Sequence, residues 1–233
     1  MELIGQGIVE ALRLLLSGDA EVWRVTWLSL RISATATLIS LALGVPIGTA
    51  LALTRFPGRS VVISLVNTGM GLPPVVVGLF VTIVLWRNGL LGALELLYTP
   101  WAMVMAQVVI AAPIVIGLTL AAVQHIPDRF RLQLLALGAS RSQMVWTLLK
   151  EARLPMLAAV MAGFGAVISE VGASLMVGGN IKGSTRVLTT ATVLETGKGN
   201  FDVAIALAIL LLVLIFVVNW ALTAIQQRGA SAR

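Results

Sequence analysis

The 233-residue sequence contains no cysteine, one histidine, one tyrosine and only 11% charged residues. Without cysteine there are no disulfides, thiolate metal sites or thiol nucleophiles. The lone histidine, His125, cannot build a metal cluster and reads as an ordinary interfacial residue. The polarity of a soluble domain is missing as well, since 58% of residues are hydrophobic and the mean hydropathy is +1.00. Apolar residues come in runs of about 20 or more, the length a helix needs to cross about 30 Å of hydrocarbon. The formal net charge of +6 therefore reads as loop lysines and arginines that set membrane topology. No nucleic-acid partner is expected.

The first 20 residues lack a basic start and a small-residue cleavage site, and they carry Glu2 and Glu10, so they do not read as a signal peptide. Glu2, Gln6, Glu10, Arg13 and Ser17 share one helical side, while Ile4, Ile8, Leu12 and Leu15 share another. Residues 1–22 thus read as an amphipathic segment on the membrane surface. It stops at Ser17-Gly18, and Asp19 is placed to cap the next helix.

Five spans come after it, at Val25–Leu53, Val61–Trp86, Pro100–Val123, Met156–Val177 and Asp202–Ala224. The third opens with Thr99 as cap and Pro100 in the first turn. The fold class is an all-α membrane protein with five transmembrane helices. Its transmembrane domain covers residues 23–225, followed by a tail of residues 226–233. No segment repeats another, which disfavours an inverted-repeat transporter built within one chain. The Lys and Arg balance places the N-terminus outside and the C-terminus in the cytoplasm of a multi-pass plasma membrane protein. Arg55, Arg59, Arg131 and Arg141 then lie inside, and Lys182, Arg186 and Lys198 outside.

Several positions stand out inside this frame. Gly44 and Gly48, then Ala158, Ala162 and Ala166, then Gly165, Ser169 and Ala173 repeat small residues at four-residue spacing, which lets helix backbones approach closely. Gly69-Met70-Gly71-Leu72-Pro73-Pro74 interrupts the second span, and the freed backbone groups need protein or water as partners. The residues alone leave a simple kink and a substrate-lining break at Pro73 and Pro74 equally open. Glu170, beside Ser169, is the one carboxylate placed well inside a span, where a charge costs several kcal/mol. It is either a gate element, held by an arginine or by backbone donors, or a protonated or hydrogen-bonded structural residue.

A basic stretch of about 30 residues, Val123 to Pro155, separates the third and fourth spans. At its centre stand Leu137, Gly138, Ala139, Ser140 and Arg141. These residues suit close docking on a protein groove, with Arg141 free to meet a carboxylate. They equally suit an amphipathic interfacial helix anchored by Leu134, Leu137 and Trp146. Enzymatic chemistry is absent: Gly178-Gly179-Asn180-Ile181-Lys182-Gly183-Ser184-Thr185 puts Ser184 where a phosphate-binding loop needs lysine. No paired carboxylates, histidine cluster or nucleophile–base set occurs, so the chain is not expected to be an enzyme, and any ATP hydrolysis belongs to a partner.

The basic stretch resembles the coupling loop of ABC importer permeases, whose signature is Glu-Ala-Ala, three residues, Gly, and later Leu-Pro. Gly138 and Leu154-Pro155 match, whereas Leu132-Gln133-Leu134 replaces Glu-Ala-Ala and Pro155 comes four residues late. Gly71-Leu72-Pro73-Pro74-Val75-Val76-Val77-Gly78-Leu79 resembles the permeases of tungstate importers. So do Lys150-Glu151-Ala152-Arg153, Gly163-Phe164-Gly165-Ala166-Val167-Ile168-Ser169-Glu170-Val171-Gly172-Ala173 and Thr185-Arg186-Val187-Leu188-Thr189-Thr190. Molybdate permeases share a looser version. The resemblance implies a type I ABC importer permease fold and a permease that translocates a small oxyanion, most of all tungstate, with molybdate or sulfate as alternatives. It further implies a second copy of the chain, two cytoplasmic ATPase subunits and an extracytoplasmic oxyanion-binding protein docking near Asn180–Asn200, all in membrane lipid. ATP and Mg would be used by the ATPases, with no cofactor bound here. Docking would use a short coupling helix around Leu137 to Met144, and Pro73, Pro74, Ser169 and Glu170 would belong to the path or gate. The rival is a self-contained secondary carrier or channel, for which Glu170 alone offers an ion-coupling site.

Overall fold

The computed structural model describes residues 19–231, together with Gly5, Val9 and Arg13. The amphipathic segment expected over residues 1–22 falls largely outside the described residues. Among the described residues from Ala20 onward, nine α-helices and one 3-10 turn, Gly92–Leu94, make up the regular structure, with no strand. In chain order the helices are α1 (Ala20–Leu53), α2 (Arg59–Met70), α3 (Pro74–Leu85), α4 (Pro100–Gln124) and α5 (Asp128–Ala136). They continue with α6 (Arg141–Ile168), α7 (Gly172–Gly178), α8 (Leu188–Gly197) and α9 (Phe201–Ser231). Helices α1, α4, α6 and α9 are each long and apolar enough to cross a membrane. The pair α2 and α3, bent by 102° at its break, is long and apolar enough together to make a fifth, broken span or a re-entrant loop.

Caps fix the helix starts. The Asp19 carboxylate accepts from the amides of Glu21 and Val22, both at 2.9 Å, satisfying donors that a first turn leaves open. Thr99 accepts from the Ala102 amide at 3.4 Å, and Pro100 occupies the first helical position, where its missing N–H costs nothing.

The centre of the fold is the crossing of α1 on α4. A Cβ on Gly44 would lie 2.7 Å from Val115 Cγ1, and one on Gly48 2.6 Å from the Ile116 carbonyl oxygen. The same side of α1 buries Ser29, Ser33, Ala36 and Ser40. Small residues let the two backbones approach closely, which is how helices pack where lipid offers no hydrophobic drive. Ala36, Val77, Met103, Ala106, Ala173 and Val177 join α1, α3, α4 and α7 into one core. Ala158 and Ala162 are exposed, and a Cβ on Gly165 would meet nothing within 4 Å, so of those two stripes Ala173 is the member that packs in the core of this chain.

The fourth span departs from its expected bounds. Helix α6 begins at Arg141, passes through Pro155 and ends at Ile168, with α7 following after a break at Ser169–Val171. The Val123–Pro155 stretch is therefore no open loop. Its polar residues ride on α5 and on the first half of α6, whose Met144, Leu148 and Ala152 are buried. Low hydropathy there marks a helix emerging from the membrane, and proline at 155 did not end it.

Candidate functional site

Two places gather the residues singled out above. The first is the corner between α5 and α6. Helix α5 closes as the amides of Leu137, Gly138 and Ala139 donate to the carbonyls of Gln133, Leu135 and Leu134. Gly138 has φ +81, a left-handed conformation that a Cβ disfavours. Ser140 restarts the chain through a capping box: its hydroxyl accepts from the Gln143 amide at 3.3 Å, and its own amide donates to Gln143 Oε1 at 2.8 Å. Leu137–Ser140 is thus the turn of a helical corner, flanked by the short helix α5 on one side and by the first turn of α6, from Arg141, on the other. Arg141 opens α6 and is exposed. Leu137 is 84% and Trp146 71% exposed, so neither anchors the corner to its own chain.

The second place is a pair of helix breaks. Pro73 caps α3 and Pro74 takes its first position, so the two prolines start a new helix instead of kinking an old one. The amides of Gly71 and Leu72 donate to Thr68 and Gly69, which satisfies part of the interrupted ladder. Across from this elbow lies the Ser169–Val171 break. A Cβ on Gly172 would stand 2.8 Å from Val75 Cγ2 and 3.6 Å from Glu170 Oε1, and one on Gly78 2.8 Å from Ala173 Cα. The starts of α3 and α7 therefore meet beside Glu170, bringing together two groups that lie about 100 residues apart in sequence.

Glu170 sits between helices and is 7% exposed, a correction to its expected place well inside a span. Its Oε1 accepts from the Ala173 amide at 2.8 Å, and its carbonyl accepts from Thr189 Oγ1 at 2.9 Å. Among the described residues no Lys or Arg forms an ion pair with it. A backbone donor, the Ala173 amide, and not an arginine, holds this carboxylate. Ser169 is exposed, and its hydroxyl donates to the Gly165 carbonyl at 2.7 Å.

At the opposite end of the bundle from the corner, a polar lattice joins α1 to the segment after α7. The Glu21 carboxylate meets Lys182 Nζ at 2.6 Å and Arg186 Nη1 at 3.3 Å. Nothing in the sequence signals this contact across 165 positions. Thr185, fully buried, donates to the Gly178 carbonyl and accepts from the Ile181 amide, so Gly178–Thr185 is a closed turn and no phosphate cradle. Glu195 accepts from Asn200 Nδ2 at 2.7 Å and from Lys198 Nζ at 2.8 Å. The Asn200 bond first, then the Lys198 bond, holds its carboxyl below the usual carboxylate range. Among the described residues no group of three or more His, Asp or Glu could hold a metal ion.

Comparison with known proteins shows the family of the chain. Residues 44–230 match the family described as binding-protein-dependent transport system inner membrane component. A probable anion ABC transporter permease protein of Haloferax volcanii is 44% identical over 200 residues, 84% of this chain and 86% of that one. The tungstate uptake system permease protein TupB of Peptoclostridium acidaminophilum is 36% identical over 97% of this chain and 100% of its own length. The molybdenum transport system permease protein ModB of Escherichia coli K12 is 28% identical over 78% of this chain and 84% of its own. Among solved structures, a chain of the inward-facing MetNI methionine ABC transporter superposes with a TM-score of 0.74 at 22% identity, covering 89% of this chain and 95% of that one.

Proposed function

From the premise that this chain belongs to the family of binding-protein-dependent transport system inner membrane components, we propose that it is the permease through which tungstate enters the cell. As a permease subunit of an ABC importer, it is a multi-pass inner-membrane protein that works with a separate ATPase and a substrate-binding protein. The observation that carries the tungstate reading is the 36% identity to a tungstate uptake permease along the whole of that protein. Molybdate is the second reading, favoured by the 28% identity to a molybdenum permease.

In this reading two copies pack side by side, with the path between them and an ATPase beneath each. The corner at Leu137, Gly138, Ala139, Ser140 and Arg141 enters the ATPase groove. Exposed Leu137 supplies apolar contact, and Arg141 supplies a partner for a carboxylate. The N-terminus lies outside and the C-terminus inside, so the Glu21–Lys182–Arg186 lattice faces the binding protein. Closure of the ATPases on ATP moves the corners, and the paired breaks at Pro73–Pro74 and Ser169–Glu170 change the opening of the path.

Deleting the gene and measuring cell-associated metal by mass spectrometry tests the substrate. Tungsten uptake from medium with equal tungstate and molybdate is expected to fall to background and to return with the wild-type gene. Loss of molybdenum alone would favour the second reading, and unchanged uptake of both would overturn the oxyanion assignment.

A further inference from the structure

At the end of the bundle that carries the helical corner, a cleft of about 320 Å³ opens between the end of α1, the start of α2, and α5. Three guanidinium groups line it, from Arg55, Arg59 and Arg131, against one carboxylate, Asp128. None of the three arginines forms an ion pair among the described residues. Two of them are held in place: Arg59 Nε donates to the Leu51 carbonyl at 2.8 Å, and Arg131 Nη2 to the Leu53 carbonyl at 3.5 Å. These bonds satisfy carbonyls that the end of a helix leaves open and fix two half-buried side chains at the cleft wall. A guanidinium carries five N–H donors, so capping α1 leaves most of them unused. Arg55 makes no hydrogen bond within the described chain and stands exposed at the mouth.

The surroundings indicate what fills the cleft. Leu148, 2% exposed, lies at its floor. From the cleft, α2 leads toward the bent elbow with no buried residue along its length, and it exposes Val61 and Leu65. A pocket with three guanidiniums to one carboxylate thus stands at the head of an apolar strip. A carboxylate from a soluble partner would satisfy the arginines and leave the strip bare. We propose that the cleft binds the phosphate headgroup of an anionic phospholipid, with the guanidiniums on the phosphate oxygens and an acyl chain along α2. The planar fork of arginine suits phosphate, and basic pockets between membrane helices hold anionic headgroups for this reason. The site is independent of the transported substrate.

Native mass spectrometry of the delipidated full-length chain in detergent, titrated with phosphatidylglycerol or phosphatidylcholine, tests this. Phosphatidylglycerol is expected to bind at least about tenfold more tightly. Arg55→Gln is expected to weaken it about fivefold, at the scale of one surface arginine, without disturbing the α1 cap. Arg131→Gln removes a cap as well and is read together with its melting temperature. Equal affinity for the two lipids, or unchanged phosphatidylglycerol binding in both variants, would overturn the site. Inorganic phosphate binding as tightly as the lipid would assign the cleft to a free anion. Loss of a co-purifying ATPase with lipid binding intact would assign it to a protein carboxylate.

Discussion

At Glu170 one carboxylate oxygen accepts the amide of Ala173 while the residue is almost wholly covered. An acceptor at the start of a short helix contributes about 1–2 kcal/mol where the amide would otherwise be orphaned. Glu170→Ala is expected to lower the stability of the detergent-purified chain by about that amount, measured by thermal melting. Glu170→Gln keeps an acceptor oxygen, so assembly is retained, and tungstate uptake is expected to change if the ionisable group takes part in gating. Unchanged uptake kinetics in the Gln variant would assign the residue to structure alone. The sequence made Glu170 conspicuous as a lone acid inside a hydrophobic stretch, but its helix break was hidden, because Ser169, Gly172 and Ser174 are residues that membrane helices also accept.

Glu195 offers a pH test at the same scale. Its folded-state carboxyl is held below the ordinary range by Asn200 and Lys198, so the clasp contributes fully above that range and is lost as pH falls through the lowered value. The melting-temperature gap between wild type and Glu195→Gln is expected to hold steady from neutrality to the ordinary glutamate range and to close below it. A gap that does not change with pH would count against the clasp.

Among the elements, α1, α4 and α9 were legible because apolar length and capping residues agree, as at Asp19 and Thr99-Pro100. The elbow between α2 and α3 was visible as Gly69 to Pro74, though not its 102° bend, since proline at a first helical position and proline within a helix look alike in sequence. The start of α6 was misplaced at Met156 because Arg141 to Arg153 is too polar for a span by hydropathy. The corner itself makes an element-scale prediction. Gly138 has open space around its Cβ position, so Gly138→Ala suffers from backbone conformation alone, about 1–2 kcal/mol. Arg141→Glu leaves the corner folded and reverses its charge. Pull-down of the ATPase is expected to weaken in both variants, with helical content by circular dichroism unchanged. Normal co-purification and normal uptake in both would remove the corner from the docking surface.

On the scale of the whole molecule, family and architecture were readable from short motifs, whereas the contacts that join distant segments were not. The Glu21–Arg186 bond and the convergence of Arg55, Arg59 and Arg131 involve arginines that the sequence marks only for topology. Purified alone in liposomes, the chain is expected to move no tungstate when ATP is supplied, and to do so once ATPase and binding protein are added. ATP-independent flux down a gradient would instead indicate a self-contained carrier.

Helix α6 has 28 residues, so it runs about 42 Å from Arg141 to Ile168. One end is the corner and the other the elbow beside Glu170. The same helix therefore spans the distance between those two places. Each degree of tilt about one end would carry the other through about 0.7 Å. Pro155 withholds a backbone hydrogen bond partway along, so the ladder of that span is weakest there.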